Sequence, residues 1–290
     1  MKFAIFGNCH SSTKSKNITS LFVSLAKRGD TYVIDHAFHA FLKENYPDID
    51  INNEIICDDN FTADVVISYG GDGTLLRTAA RVGDKAYPIL GINAGRLGFL
   101  TTISSDEIEQ TIDNLHNGRY RIEERNLIEV RPQESKINSY PYALNEIAVM
   151  KHDSSSMMTL EATFNGCDSI IYQADGLIVS SPSGSTGYSL SVGGPIIAPD
   201  ANVMVLTPIA SHSLNARPIV INDDTEIAIK VNSRSHNFLI AIDGRHESCP
   251  ENTLLKIRKA HYKIRLIHNE HDSFIQNLRN KMMLGADSRM

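Results

Sequence analysis

Residues 63–80 read Ala63-Asp64-Val65-Val66-Ile67-Ser68-Tyr69-Gly70-Gly71-Asp72-Gly73-Thr74-Leu75-Leu76-Arg77-Thr78-Ala79-Ala80. An apolar run that suits a buried strand gives way, within one turn, to a helical pattern. Three glycines surround a single carboxylate at that junction. Glycine lets another group approach the backbone closely. The helix start beyond it offers unpaired N–H groups to an anion such as phosphate. An aspartate placed there can act on whatever occupies the hollow. The same residues also read as a tight turn in which Asp72 caps the helix, and the stretch alone leaves both readings open.

Working outward, the first third alternates short apolar strands with amphipathic helices. Phe3-Ala4-Ile5-Phe6 is a strand closed by Gly7. Ile18, Leu21, Phe22, Leu25 and Ala26 share one helix face that stops at Gly29. Tyr32-Val33-Ile34 is a second strand, and a helix around residues 37–46 ends before Pro47. A strand at residues 65–68 enters the glycine turn, and the helix from Leu75 ends at Gly83. Pro88-Ile89-Leu90-Gly91-Ile92 is a fourth strand. Ser104 with Glu107 predicts a capping box for a helix carrying Ile108, Ile112 and Leu115 and ending at Gly118. This alternation predicts an α/β N-terminal domain with a parallel doubly wound sheet, over residues 1–120. Ligands bind outside the carboxyl ends of such strands, where the glycine turn lies.

After residue 120 the period changes to alternation of polar and apolar residues, as in Ile227-Ala228-Ile229-Lys230-Val231 and Tyr262-Lys263-Ile264-Arg265-Leu266. Many short strands separated by turns predict a β-rich C-terminal domain, a sandwich or similar double sheet, over residues 121–269. A final amphipathic helix within residues 270–290, with Phe274, Ile275, Leu278 and Met282 on one side, is expected to pack back on the first domain.

Composition narrows the function classes. The chain has 290 residues, 42% of them hydrophobic and 21% charged, with a net charge of −6. These values suit a soluble globular protein and argue against a nucleic-acid binder that relies on a basic field. The four scattered cysteines (Cys9, Cys57, Cys167 and Cys249) form no CxxC pair, which suits a reduced, cytoplasmic compartment better than a disulfide framework or a zinc site. The apolar start after Met1-Lys2 is too short for a signal peptide. No run approaches the roughly 20 residues of a membrane span.

Three further stretches carry more small and polar residues than their strands require. Asn145-Glu146 interrupts the strand Ala143 to Val149 with groups suited to a sugar diol or an amino group, or else marks a solvated strand edge. Residues 174–195 run from Ala174-Asp175-Gly176 through Ser180-Ser181-Pro182-Ser183-Gly184-Ser185-Thr186-Gly187-Tyr188-Ser189-Leu190-Ser191 to Gly193-Gly194-Pro195. Hydroxyls and exposed N–H groups in such a loop cradle phosphates or ribose oxygens. Ile242-Asp243-Gly244-Arg245 is first of all a hairpin turn. Neither GxxxxGK[ST] nor GxGxxG is present, and there is no GxSxG elbow or HExxH pair. Glycines, one aspartate and hydroxyls without a nucleophile suit phosphoryl transfer, which needs positioning, a metal and a base.

Together these segments resemble the NAD kinase family, of the bacterial ATP-NAD kinase type. The resemblance rests on Gly70-Gly71-Asp72-Gly73-Thr74, Asn145-Glu146, Asp175-Gly176 and Gly184-Ser185-Thr186-Gly187-Tyr188-Ser189-Leu190-Ser191 with Gly193-Gly194-Pro195. Residues 93–100 and Ala216-Arg217-Pro218 look like further family segments. The glycine–aspartate turn alone is shared with lipid kinases and phosphofructokinases. The resemblance implies a two-domain fold with the active site between the domains, and a homodimer or homotetramer. It implies transfer of the γ-phosphoryl group of ATP to the 2′-hydroxyl of the adenosine ribose of NAD, with a divalent metal such as Mg²⁺ on the donor phosphates and no metal ligand from the protein. By this resemblance Asp72 is the general base, and Gly73 and Arg77 hold phosphates. Asn145 and Glu146 contact the adenosine half, and Asp175 the nicotinamide half. Thr186, Gly187, Tyr188, Ser189, Leu190 and Ser191 line the adenine and ribose pocket, with Ala210 and Arg245 at its edge. Gly187 stands where the family's GSTAY version has alanine, which is expected to loosen the loop, and Arg245 where many bacterial relatives have glutamine. A lipid or sugar kinase sharing the turn, or a catalytically silent dinucleotide sensor, are the alternatives.

Overall fold

The computed structural model describes residues 1–9, 17–51, 54–95, 98–133, 137–138, 140–152, 157–270 and 272–283. Arg96 and Leu97 of the segment 93–100, residues 153–156 and the residues beyond 283 lie outside them. The chain divides into two units, Met1–Glu124 with Ile264–Met290, and Arg125–Lys263.

In the first unit strands and helices alternate as β1 (Lys2–Gly7), α1 (Ile18–Lys27), β2 (Thr31–Asp35), α2 (His36–Asn45), β3 (Ile55–Ile56), β4 (Val65–Tyr69), α3 (Asp72–Val82), β5 (Ile89–Asn93), β6 (Ile103–Ser104) and α4 (Ile108–His116). The strands pair in parallel in the order β3-β2-β1-β4-β5, with β6 beside β5. β4 and β5 are buried along their whole length, as expected of strands covered on both faces. The sheet contributes Phe3, Ile5, Ile67, Leu90 and Ile92 to one core with Leu21 and Leu25 of α1, Phe38 and Leu42 of α2, and Ile108 and Ile112 of α4. Each such side chain contributes about 1.5–3 kcal/mol. Because β1 lies between β2 and β4, the winding reverses there. The carboxyl ends at this reversal are Gly7 and Tyr69, tied by Asn8 N–H donating to Tyr69 O at 3.0 Å. The crevice at such a reversal is where doubly wound sheets bind ligands.

The capping box forms: Ser104 Oγ accepts from Asp106 N–H at 3.3 Å and Glu107 accepts from Ser104 N–H at 3.0 Å, leading through the turn Ser105–Glu107 into α4. Helix α3, by contrast, starts at Asp72 rather than Leu75. Gly71 is its N-cap, and among the described residues no side chain caps it. The capping alternative for Asp72 is thereby corrected. Its backbone is already helical, so its carboxylate points to other partners.

The second unit is two antiparallel sheets face to face. One has the order Ile219–Asn222, Val203–Ile209, Gly176–Ser180, Glu146–Lys151, Asn237–Ile242 and Arg245–Pro250. The other joins Asp168–Ala174, Met158–Phe164, Ile227–Asn232 and the start of Leu254–His268. Alternate residues from each, such as Val149, Leu177 and Ile240 against Leu160, Ile229 and Leu255, form one core. The end of the strand Leu254–His268 belongs to the first unit, where Leu266 and Ile267 pair in parallel with Ile89 and Leu90. The β-rich segment read as ending at residue 269 therefore ends inside this strand.

The C-terminal helix is Phe274–Met282. Leu278 is buried, but Ile275 is 64% exposed. The inward positions are 274, 277, 278, 281 and 282, so Ile275 does not share the packed side that the sequence assigns it. Among the described residues no helix is long and apolar enough to cross a membrane.

Candidate active site

In the first unit the chemistry gathers on Asp72. A side chain on Gly70 would run into Thr74, whereas at Gly71 and Gly73 it would meet nothing within 4 Å among the described residues. The protein's own packing thus demands glycine at Gly70 and leaves open space beside Gly71 and Gly73. Residues 98–101 wrap the carboxylate. Phe99 N–H donates to Oδ2 at 2.7 Å, while Leu100 N–H (3.1 Å), Thr101 N–H (2.9 Å) and the Thr101 hydroxyl (2.9 Å) all donate to Oδ1. Asn93 Nδ2 donates in turn to the Thr101 hydroxyl at 2.9 Å. Among the described residues one oxygen is saturated, and the other keeps an acceptor position free. A Cβ on Gly98 would collide with Oδ1, so only glycine lets the carboxylate lie against this backbone. Arg77 is exposed one turn along α3, its guanidinium 3.3 Å from Thr74 Oγ1.

Asn93, Gly98 and Thr101 received no role from the sequence. The signals were the polar residue closing the buried strand β5 and the likeness of residues 93–100 to a family segment.

In the second unit Asn145, Glu146 and the loop Ser181 to Tyr188 come together. Ser181 N–H donates to Asn145 O at 2.9 Å, and a side chain on Gly184 would collide with that same carbonyl. Both segments can approach only because residue 184 is glycine. Asp243 organises the turn: its carboxylate accepts from Leu144 N–H at 2.7 Å, Asn145 N–H at 2.9 Å and Glu146 N–H at 3.1 Å. Asp243 and Gly244 both have positive φ, +46° and +78°, as a two-residue hairpin of the primed kind requires. The hairpin expectation holds, and the carboxylate's second task is an addition to it. Burial pushes the Asp243 carboxyl up, and the three N–H bonds and the Arg245 charge oppose this.

Burial also pushes the Glu146 carboxyl up to about 7. The Asp243 charge adds to the rise and a backbone bond from Tyr188 opposes it. Glu146 Oε2 and Asn145 Oδ1 are buried without a partner among the described residues. A Cβ on Gly187 would lie 2.7 Å from Glu146 Oε2. Glycine here makes room for that carboxylate, which is a more definite effect than loosening the loop.

The other expected residues are placed less uniformly. Thr186 donates to Ser183 O at 3.2 Å, and the buried Ser189 hydroxyl is bonded to Thr207 Oγ1 at 2.8 Å. Tyr188 and Ser191 are exposed and Leu190 partly so. Arg245 donates to Tyr142 O at 2.9 Å, with its guanidinium over the Tyr140 ring. Asp175 is paired with Lys151 at 2.7 Å, and its N–H donates to Ile209 O beside Ala210. Strand pairing sets Ser180 opposite Glu146 and Gly176 opposite Met150. Asp175 and Ala210 therefore lie at the far end of these strands from Glu146, about 17 Å away at strand rise.

Two family models match the chain: the ATP-NAD kinase N-terminal domain over residues 11–120 and the ATP-NAD kinase C-terminal domain over residues 144–269. The chain belongs to the NAD kinase family. It is 50% identical to the NAD kinase of Bacteroides fragilis (strain YCH46), with 100% of both chains covered. It is 44% identical to that of Porphyromonas gingivalis (strain W83), with 99% of each covered. Among solved structures, the yeast NADH kinase complexed with NADH is similar with a TM-score of 0.87 at 21% identity, covering 100% of this chain and 89% of that one. An NAD kinase from Archaeoglobus fulgidus in complex with ATP gives 0.76 at 24% identity, covering 98% and 99%. These two likenesses bear on the fold. The NAD kinase fold, an α/β unit followed by a β-rich one, is the fold expected from the sequence.

Proposed function

We propose that the chain transfers the γ-phosphoryl group of ATP to the 2′-hydroxyl of the adenosine ribose of NAD, giving NADP and ADP, with Asp72 as general base. The observation that carries this role is the asymmetry of the carboxylate. Oδ1 is saturated by three donors, whereas among the described residues Oδ2 accepts from Phe99 N–H alone. Oδ2 is then the atom that takes the proton. The ribose O2′–P bond forms, the bond from Pγ to the bridging β–γ oxygen breaks, and the electron pair leaves with ADP. In a loose transition state the hydroxyl loses its proton late, so a fixed carboxylate serves although it is a weak base.

The remaining roles follow the same reading. Gly73 and Arg77 face phosphate, and the open space at Gly71 and Gly73 is consistent with a bound group. Asn145 and Glu146 contact the adenosine half, and their unpartnered oxygens suit ribose hydroxyls or an amino group. Thr186, Gly187, Tyr188, Leu190 and Ser191 line the adenine and ribose pocket, with Ser189 as buried support and Arg245 at the edge. Asp175 and Ala210 serve the nicotinamide half. Among the described residues no three His, Cys, Asp or Glu side chains gather as metal ligands, and the reading puts a divalent cation, Mg²⁺, on the ATP phosphates, where it offsets their charge. A cytoplasmic homodimer or homotetramer completes it.

Membership of the NAD kinase family disfavours the lipid or sugar kinase and the silent sensor. The test is NADP formation from NAD, ATP and Mg²⁺ by the purified chain, with other triphosphates and polyphosphate in parallel. No NADP with any donor contradicts the reading.

A further inference from the structure

The C-terminal helix carries a lysine that the reading above does not use. Lys281 falls on the inward side, one turn after the buried Leu278. Its Nζ is shielded from solvent, has no hydrogen-bond partner among the described residues, and lies 4.7 Å from the centre of the Phe99 ring. Phe99 is also the residue whose N–H holds Oδ2 of Asp72. The carboxylates that act on this ammonium are Asp72, at the head of α3, and Asp272, just before the C-terminal helix. Asp272 is itself held by Thr102 at 3.4 Å and acted on by Arg121 and Glu107.

A buried ammonium is costly unless it is paired and hydrogen-bonded. An aromatic face offsets part of that cost but accepts no N–H bond. The three donors of the ammonium therefore await an acceptor. Asp72 does not supply it: its Oδ1 is saturated and neither oxygen is bonded to Lys281. Beside Asp72 are the start of α3, with its unpaired N–H groups, and open space at Gly71 and Gly73. All of these features favour an anion next to the same carboxylate.

We propose that Lys281 binds the terminal phosphate of the nucleoside triphosphate donor, as the cationic partner of Asp72 in the phosphoryl site. This rests on the kinase reading above. The lysine holds the phosphoryl oxygens as their negative charge shifts, while Asp72 receives the proton of the attacking hydroxyl. A charge-bearing donor suits this task and carboxylate–ammonium neutralisation alone does not require it.

Burial lowers the Lys281 ammonium to about 8, against the opposing pull of Asp72 and Asp272. The amine then loses its proton within a range accessible to assay, and kcat/KM reports the free enzyme. For the wild-type chain, kcat/KM for ATP is expected to fall as pH rises through about 8. Lys281→Arg keeps the charge and moves that limb upward. Lys281→Met loses the limb, lowers kcat/KM for ATP by about tenfold or more, and weakens ATP binding by calorimetry while leaving ADP and NAD binding unchanged. A purely structural lysine would lower thermal stability without distinguishing ATP from ADP. The proposal is overturned if the wild-type chain makes NADP with no alkaline limb, if folded Lys281→Met binds ATP like the wild type, or if it loses affinity for NADP alone. The wild-type pH profile needs no variant, so a Lys281→Met chain that fails to fold still leaves a decisive measurement. A wild-type chain that makes no NADP contradicts the kinase reading instead, and calorimetry with ATP and ADP then tests the lysine separately.

Discussion

Thr101 donates twice to one oxygen of Asp72: its amide and its hydroxyl both lie 2.9 Å from Oδ1. The hydroxyl also accepts from Asn93, so a side chain at the end of β5 sets the proton direction of the whole chain of bonds. Thr101→Val keeps the amide bond and removes the hydroxyl, together with the bond that the hydroxyl accepts from Asn93. Hydrogen bonds to charged groups are worth roughly 1.5–3 kcal/mol. If that is expressed in the transition state, kcat drops about tenfold to a hundredfold with KM for ATP and NAD nearly unchanged. Steady-state kinetics on the valine variant checks this, and an unchanged kcat would remove Thr101 from the account.

Gly98 sets the position of the same carboxylate by having no side chain. Gly98→Ala puts a methyl group where Asp72 Oδ1 lies, and the carboxylate must move away from its donors. The expected result is a loss of kcat larger than that of Thr101→Val. The accompanying destabilisation should be about 1–3 kcal/mol, the usual cost of overpacking. Urea denaturation alongside the assay separates the two effects.

Glu146 predicts a pH effect on stability with a definite sign. Its carboxyl is held up at about 7 in the folded chain, against an ordinary value of 4.5. Between those two values only the folded state keeps the proton, so the folded state binds more protons than the unfolded one. Its contribution is therefore present below pH 4.5 and lost as pH rises to about 7, to a total of about 3 kcal/mol. Glu146→Gln cannot ionise and should lose this slope. Relative to the wild type it should gain stability progressively from pH 5 to pH 8. Parallel denaturant titrations at several pH values measure the difference, and identical slopes would contradict the assignment.

Asp243→Ala leaves the N–H groups of Leu144, Asn145 and Glu146 without their acceptor and puts alanine at a positive φ of 46°. A destabilisation of about 3 kcal/mol or more is expected from the stranded donors alone. Asn145 and Glu146 lose their anchor, so KM for NAD should rise more than KM for ATP. Asp243→Asn tolerates the turn and keeps an acceptor oxygen, so it should fall between the two.

Much of this architecture was legible because the signals are local. The apolar runs of β1, β2, β4 and β5 and the glycine stops after α1 and α4 each depend on a few neighbouring residues. The capping box at Ser104 and Glu107 does so too, and all of them form in the chain. Asp72 was legible as a candidate, but the groups that surround its carboxylate were not. Its donors lie 27–29 residues away, beyond any local pattern. Asp243 shows the same limit more sharply. Its turn signal was complete by itself, while its carboxylate acts on residues 97–99 positions earlier. Helix α3 was read as starting at Leu75 because glycine and aspartate are weak helix formers, yet the chain turns helical at Asp72. Ile275 was misplaced because four apolar residues in a short helix fit more than one face.

The central claim is that Asp72 takes the proton from the ribose 2′-hydroxyl, and Asp72→Asn tests it most directly. Asparagine keeps the shape and can still accept from the Thr101 and Leu100 amides, but its amide nitrogen cannot serve as the base. The measurement is kcat for NADP formation from NAD and ATP, beside NAD and ATP affinities and a thermal unfolding curve for the same protein. The account predicts a folded variant that binds both nucleotides and is slower by about two to four orders of magnitude. A folded variant that retains full kcat would contradict it.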